Sequence, residues 1–134
     1  MLPFEFTIEG PPLSHQTRNR QNLQNWKGQV STAAQDALAD DVEPILDNVS
    51  VTITYYYEDT SPDVDNIIKP IQDALIGIVF VDDDQVVDTK SRKRLLNGSF
   101  RIRGASAKLL LAFSEGKNFL HIKVEEEPNM EVLD

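Results

Sequence analysis

The chain has 134 residues, 40% of them hydrophobic, a formal net charge of -9 at pH 7 and no cysteine. This composition suits one domain over residues 1–134, excludes disulfides and thiolate metal sites, and fits a cytoplasmic protein. No apolar stretch approaches the roughly 20 residues that a membrane-spanning helix needs, and the N-terminus lacks a signal-peptide pattern, so we expect no membrane association.

The first half of the chain predicts two strands separated by a helix. Residues 4–8 alternate between apolar and polar side chains, as a half-buried strand does, and a Gly-Pro-Pro sequence ends the strand. The polar residues 13–25 predict an exposed loop that runs into a helix. Apolar side chains at three- and four-residue steps then predict a helix over residues 26–38. Residues 48–57 alternate most regularly and predict a strand.

A helix is expected after the turn at residues 58–62, with apolar side chains of residues 64–75 along one face. Pro70 interrupts this pattern, because proline inside a helix removes a backbone hydrogen bond. Either the helix begins near Asn66, which leaves Pro70 in or near the first turn, or the helix is kinked at Pro70. Gly77 is a candidate for its end.

The remaining elements are short. Residues 86–94 predict a strand. The Asn-Gly sequence that follows is typical of a hairpin turn and predicts a returning strand over residues 99–103. Residues 105–113 predict a helix and residues 119–124 a last strand, followed by an acidic tail at 125–134 that we expect to fray. The elements together predict an α+β fold, a single domain in which helices pack on a mixed β-sheet.

The charges are segregated along the chain. A negative net charge argues against nucleic-acid binding, but it is a weak guide when acidic and basic residues occupy separate stretches. Basic residues form one group near the N-terminus and a second group after residue 89: Arg18, Arg20 and Lys27, then Lys90, Arg92, Lys93, Arg94, Arg101 and Arg103.

Carboxylates are concentrated on either side of the predicted second helix. Asp63 and Asp65 would point the same way if the chain between them is extended, and Lys69 lies one helical turn beyond Asp65. The Asp82-Asp83-Asp84 sequence can bring a third carboxylate to the same place. Two or three carboxylates with water satisfy the octahedral oxygen coordination of Mg²⁺.

Each of these residues also has an ordinary structural interpretation. An aspartate often caps a helix, three aspartates can form a solvated turn, and a lysine is common on a surface. One cap explains one aspartate, however, and not the whole set. An EF-hand is excluded, because the consecutive aspartates lack its alternate spacing and its glycine. A glycosyltransferase Asp-X-Asp motif matches by pattern, but the chain leaves no room for a nucleotide-sugar domain.

Three segments carry a resemblance to a known family. They are Asp63-Val64-Asp65-Asn66-Ile67-Ile68-Lys69, then Asp73-Ala74-Leu75, then Val81-Asp82-Asp83-Asp84-Gln85-Val86-Val87-Asp88. Their order and spacing resemble the signature of the RusA family, which are small, dimeric, Mg²⁺-dependent endonucleases that resolve Holliday junctions.

The resemblance implies a RusA-like fold and a role for each matched residue. It implies that Asp63, Asp65 and Asp83 bind Mg²⁺ or Mn²⁺, that Lys69 is catalytic, and that the protein is a homodimer acting on four-way junctions and other branched DNA. We expect Lys69 to stay protonated among the carboxylates and to stabilise negative charge. The two basic groups listed above would contact DNA phosphates.

Two other functions are left open by the sequence. The first is a catalytically weak or inactive protein with the RusA fold that binds a protein partner through its acidic surface. The second is a nuclease that cleaves flaps or replication forks. Metal-dependent cleavage of branched DNA would distinguish an active nuclease from the protein-binding candidate. A comparison of substrates is needed to distinguish a junction-cleaving enzyme from one that cleaves flaps or forks.

Overall fold

The computed structural model describes residues 2–58, 63–96 and 106–126. Within these residues the chain forms four strands and three helices. No helix among them is both long enough and apolar enough to cross a bilayer. The elements are β1 (Phe4–Glu9), α1 (Arg20–Ala37), β2 (Val49–Tyr57), α2 (Ile68–Leu75), β3 (Val86–Leu95), α3 (Ala107–Ser114) and β4 (Phe119–Glu126).

The strands form one mixed sheet in the order β1-β4-β2-β3. β4 lies between β1 and β2 and is antiparallel to both, whereas β2 and β3 are parallel. A parallel pair cannot be joined by a tight turn, so α2 and its flanking loops carry the chain back across the sheet. This arrangement confirms the predicted single α+β domain with helices on a mixed sheet.

Helix α1 begins at Arg20, six residues earlier than the sequence predicted. The Asn19 side chain caps it by accepting a hydrogen bond from the Asn22 N–H at 3.0 Å. Leu23 then extends the buried stripe of the helix by one turn before Trp26. Residues 20–25 do not show a helical pattern in the sequence, because Leu23 is the only apolar residue among Asn, Gln and Arg side chains.

Pro70 lies in the first turn of α2, where its missing N–H costs no helical hydrogen bond. The first of the two alternatives for this helix is therefore correct. Gly77 follows the helix with a φ of +82°, a left-handed conformation that glycine adopts without strain.

The last strand, β4, continues through Glu126, which pairs with Val49. Glu125 and Glu126, which were predicted as part of the tail, therefore belong to β4 and pair with β2. Residues 127–134 and the predicted strand at 99–103 lie outside the described residues.

The sheet has two different faces. The inner face packs against α1 and α2 and forms the main core, in which Trp26, Phe80 and Tyr55 are buried. The outer face carries α3, whose Phe113 contacts the rings of Tyr56 and Phe119 at centroid distances of 4.8 and 5.1 Å. Trp26 thus belongs to the core rather than to a base-stacking surface.

A hydrogen-bonded contact on the outer face joins the first strand to the last. His121 Nε2 lies 2.7 Å from Glu5 Oε2. Burial opposes ionisation of Glu5, but hydrogen bonds to Ser106 and His121 and the charges of His121 and Lys108 outweigh it, and the pKa of Glu5 falls below its ordinary value of 4.5. Glu5 therefore stabilises the fold when ionised.

We expect Glu5→Gln to lower the free energy of unfolding just above pH 4.5, the ordinary pKa of Glu5. Because the pKa of Glu5 is lower in the folded than in the unfolded chain, ionised Glu5 stabilises the fold at pH values above its unfolded-state pKa. This stabilisation is lost as the pH falls through its folded-state pKa. The difference between wild type and variant should therefore shrink with acidification in urea unfolding at a series of pH values. Glu9→Gln, an exposed change on the same strand, is the control. An equal effect of both variants would contradict the role of Glu5.

Candidate active site

The first acidic segment is a turn held by hydrogen bonds from two sides. The Asn66 N–H donates to the Asp63 carbonyl at 3.0 Å and closes the turn, and the His15 N–H donates to the Asn66 carbonyl at 2.8 Å. The Ser91 hydroxyl, on β3, donates to the Val64 carbonyl at 2.6 Å. The segment is therefore a turn, so the condition under which Asp63 and Asp65 would point the same way, an extended chain between them, is not met. Both side chains are exposed beside the sheet.

The second acidic segment, Asp82 to Asp84, is held by the buried side chain of Gln85. Gln85 Oε1 accepts hydrogen bonds from the N–H groups of Val81 and Asp82 at 2.8 and 2.9 Å. Gln85 Nε2 donates to the carbonyls of Ile45 and Asp47 at 2.7 and 2.9 Å. Both polar atoms of this amide are thus used twice, which fixes the backbone while the three aspartates remain exposed.

The charges of the second segment act on one another. A hydrogen bond with the Asp82 side chain raises the pKa of Asp83, the negative charge of Asp82 adds to the rise, and the positive charge of Lys69 opposes it. Lys69 is therefore near enough to Asp83 for its positive charge to act on that carboxylate. Like charges held together in this way favour a nearby cation.

Lys69 also belongs to a small ion-pair network on α2. Its Nζ lies 3.1 Å from Asp73 Oδ1, one helical turn further along, and Lys27 Nζ from α1 lies 3.6 Å from Asp73 Oδ2. Lys69 thus pairs forward with Asp73, whereas we had expected it to reach back toward Asp65. The network places Lys27, from the N-terminal basic group, beside the candidate site.

The carboxylates predicted to share one ion are not gathered into one group. Among residues 2–58, 63–96 and 106–126, no three His, Asp or Glu side chains lie close enough together to hold a metal ion. The donors nevertheless fit a hard divalent cation, because they are exposed carboxylates and the Asp82–Asp83 contact is one that a cation would relieve. A shared site for Asp63, Asp65 and Asp83 stays a prediction.

The second basic group is divided by the alternation of β3. Thr89 and Ser91 face α2, since Thr89 Oγ1 accepts a hydrogen bond from Gln72 at 2.8 Å and Ser91 bonds the Asp63–Asn66 turn. Lys93 shares this inner side and lies 5.8 Å from the Tyr57 ring centroid.

The other cations of β3 point to the outer face. Arg92 Nε donates to Thr54 Oγ1 at 2.8 Å, and Arg94 pairs in register with Tyr56, which contacts α3. Lys90 shares that side by alternation. Arg101 and Arg103 lie outside the described residues. Of the N-terminal group, Arg18 and Arg20 are exposed.

Comparison with known protein families gives a match over most of the chain. Residues 9–103 match the model of the family described as endodeoxyribonuclease RusA, which is well over half of the chain. The chain belongs to the RusA family. Both acidic segments, Lys69 and Gln85 lie within the matched region, and the family consists of enzymes that cleave DNA internally by hydrolysis. The comparison with curated proteins gives no match.

Three residues of this RusA-family site had no role in the sequence interpretation. Gln85 and Asp73 lie in the segments that resemble the RusA signature, but the resemblance gave them no role. In the structure Gln85 is a buried hydrogen-bonding side chain, and Asp73 pairs with Lys69 and Lys27. The spacing of Lys69 and Asp73 was a usable signal, because residues four apart on a helix are neighbours. Ser91 gave no local signal, since its partner is 27 residues away.

We expect Gln85→Leu to lower the free energy of unfolding by about 2–4 kcal/mol, because it leaves two N–H groups and two carbonyls without their partner. Gln72→Leu is the matched control. It removes one exposed hydrogen bond, to Thr89, and should cost less than about 1 kcal/mol. Chemical denaturation of both variants measures the difference. Equal losses would show that the Gln85 network does not hold the Asp82–Asp84 segment.

Proposed function

We propose that this protein is a Mg²⁺- or Mn²⁺-dependent endonuclease that cleaves branched DNA, with the four-way junction as its substrate, and that it acts as a homodimer in the cytoplasm. The observation that carries the proposal is the arrangement around α2. Two exposed acidic segments flank this helix, and Lys69, on its first turn, acts electrostatically on Asp83 in the second segment. Family membership supplies the reaction class.

Asp63, Asp65 and Asp83 would hold the metal. When bound, a divalent cation in such a site supplies an activated water and neutralises charge on the phosphoryl oxygens. The protein holds the three carboxylates through backbone contacts: the Ser91 and His15 hydrogen bonds for the first segment and the Gln85 amide for the second. These contacts hold the backbone of both segments, and the side chains of Asp63, Asp65 and Asp83 are exposed.

Lys69 would stabilise the negative charge that develops on the phosphate during hydrolysis. Its side chain is 54% exposed and ends beside Asp73 and Lys27. Asp73 would act on Lys69 as a positioning residue, since it accepts from the ammonium at 3.1 Å. Lys27, paired with the same carboxylate, adds a second cation for a DNA phosphate.

The basic residues would contact DNA on both sides of β3. Lys93 lies on the side of the carboxylates, whereas Lys90, Arg92 and Arg94 lie on the outer face. Such contacts supply affinity without reading sequence, as suits an enzyme that selects a branched shape. A four-way junction has two-fold symmetry and requires two cuts, and a C2 homodimer with one site per subunit matches that symmetry.

The net charge of -9 favours a second candidate, a RusA-fold protein that binds a protein partner through its acidic surface and has little or no activity. A side-by-side cleavage assay on four-way, flap and linear duplex DNA with Mg²⁺ or Mn²⁺ separates the alternatives. Preferred cleavage of the junction supports the proposal. Preferred cleavage of flaps or forks would identify those structures as the substrate instead. Cleavage of none of the three favours the protein-binding candidate.

We expect Asp63→Asn, Asp65→Asn and Asp83→Asn each to abolish cleavage while DNA binding is kept or tightened, because each removes a metal ligand and one repulsive charge. Chelation should abolish the wild-type activity, and added Mg²⁺ or Mn²⁺ should restore it. The measurements are junction cleavage and electrophoretic mobility shift. Asp40→Asn, an exposed change outside both acidic segments, is the control. Undiminished cleavage by Asp83→Asn would exclude it as a ligand.

Lys69→Ala should lower the cleavage rate by more than about tenfold through lost charge stabilisation. Thermal unfolding should change little, because an exposed ion pair contributes at most about 1 kcal/mol. Lys123→Ala removes another exposed ion pair, with Glu125 at 3.8 Å, and should leave cleavage near the wild-type rate. Equal rates for both variants and the wild type would show Lys69 to be a surface residue only.

DNA affinity should fall steeply with salt, by a log–log slope of about -0.9 for each phosphate neutralised. Arg92→Ala with Arg94→Ala should weaken binding to all DNA shapes alike and flatten this slope. Asp40→Asn with Asp41→Asn is the control, since asparagine tolerates the φ of +67° at residue 41. Thermal unfolding should accompany the measurement, because the Arg92 change also removes a partner of buried Thr54. A salt-independent affinity would favour the protein-binding candidate.

A further inference from the structure

Two lysines from different helices share one carboxylate at the seam between α1 and α2. Lys69 Nζ lies 3.1 Å from Asp73 Oδ1, and Lys27 Nζ lies 3.6 Å from Asp73 Oδ2. Each oxygen of the carboxylate therefore faces its own ammonium group. Because two positive charges meet one negative charge, the three side chains together are positive, in a protein whose net charge is -9.

The backbone around Asp73 is fixed from both sides. The Ser31 hydroxyl of α1 donates to the Ala74 carbonyl at 2.8 Å. On the other side, Gln72 Nε2 donates to Thr89 Oγ1 of β3, also at 2.8 Å. The residues before and after Asp73 are thus tied to two different elements. The backbone of Asp73 therefore stays in place when a lysine leaves its carboxylate.

The two lysines are not equivalent. The Lys27 side chain is 24% exposed, whereas that of Lys69 is 54% exposed. Lys69 lies in the first turn of α2, and its positive charge acts on Asp83 in the second acidic segment. Lys69 is therefore the lysine that can turn toward a phosphate at the acidic segments, while the mostly covered Lys27 stays with Asp73.

A carboxylate holds each of two ammonium groups less tightly than it holds one alone. The two ammonium groups repel each other across Asp73, and this repulsion weakens both ion pairs. Without Lys27, Asp73 and Lys69 would form a neutral pair, and the carboxylate would largely cancel the charge that Lys69 offers to a phosphate. With Lys27 present, Asp73 keeps a counter-ion when Lys69 leaves it.

We propose that Lys27 is a positioning residue for the cleavage reaction, which neutralises Asp73 so that Lys69 can exchange this carboxylate for a phosphate of the bound DNA. The exchange moves one ion pair and leaves all three side chains charged. The inference rests on the proposed function in one respect, that Lys69 meets the phosphate that is cut.

A direct contact between Lys27 and DNA leads to a different expectation. The loss of such a contact would have the same effect whether or not residue 73 carries a charge. A role through Asp73 disappears once that carboxylate is removed, because Lys69 then has no ion pair to leave. The effect of removing Lys27 on the cleavage rate must therefore depend on Asp73.

A double-mutant cycle on junction cleavage with Mg²⁺ tests this dependence. Lys27→Met keeps an unbranched side chain at the seam and removes the charge. At saturating DNA it should lower the cleavage rate by about fivefold or more in the wild-type background, as expected for residues of one ion-pair network. In an Asp73→Asn background the same change should lower the rate by less than about twofold. Equal factors in both backgrounds would overturn the proposal.

The matched control is Lys117→Met, which removes the same charge from an exposed ion pair with Glu9 at 3.9 Å. It should leave the cleavage rate near that of the wild type. A loss equal to that of Lys27→Met would show a general effect of charge and would overturn the proposal. Thermal unfolding checks that each variant is folded, and Lys27→Gln serves as a second neutral substitution if Lys27→Met is not.

The ion pair can also be followed without DNA or metal. NMR relaxation of the Lys69 ammonium group measures how firmly Asp73 holds it. Lys27→Met should raise the order parameter of Lys69 Nζ, Asp73→Asn should lower it, and Lys117→Met should leave it unchanged. No response of Lys69 to Lys27→Met would overturn the inference. The expected response in a protein that cleaves none of the DNA substrates would overturn the proposed activity and leave the sharing of Asp73 standing.

Discussion

The parallel pairing of β2 with β3 is the constraint on which the candidate site depends. Parallel strands point the same way, so the chain must return along the sheet before the second strand can begin. In this protein the return is made by α2, a helix of only eight residues. Both acidic segments therefore flank one short helix, and Lys69 on that helix acts on Asp83 beyond it.

Hydrogen bonds to the backbone hold this arrangement, and the Asp82 carboxylate adds one by accepting from the Gln85 N–H. The Asp63–Asn66 turn is tied to β3 through Ser91 and to the N-terminal loop through His15. Gln85 ties the second segment to the chain before β2, through the carbonyls of Ile45 and Asp47. A buried amide that satisfies all of its hydrogen bonds is rigid, and leaving one of its partners unpaired is costly. Because these hydrogen bonds are made to backbone groups, the side chains of Asp63, Asp65 and Asp83 remain exposed to solvent.

The two edges of the sheet differ in chemistry. At the β3 edge, alternation sends Lys93 to the inner side and Arg92 to the outer face, so one strand presents cations in two directions. Positive side chains are thus grouped on β3 although the net charge of the protein is -9. The β1 edge instead carries side chains of both charges, among them Glu9, Lys108 and Lys117.

The sequence by itself determined the fold class, the positions of the strands β1, β2 and β4, and the residues of both acidic segments. These features follow from local patterns, since side-chain alternation and charge spacing are written along the chain. It missed the start of α1, because a polar segment with one buried leucine has almost no apolar period. It left open whether the chain between Asp63 and Asp65 is extended, and the structure has a turn there, closed by the Asn66 N–H on the Asp63 carbonyl.

Only the tertiary structure decided which partners these residues meet. Gln85 bonds carbonyls 38 and 40 residues away, and Lys27 meets Asp73 across two helices. The division of the β3 cations between the two faces depends on which side of the sheet α2 crosses. Contacts of this kind form when separate elements pack together. Their free energy depends on the distance between the groups and on their burial in the folded chain. A local pattern of residues determines neither quantity.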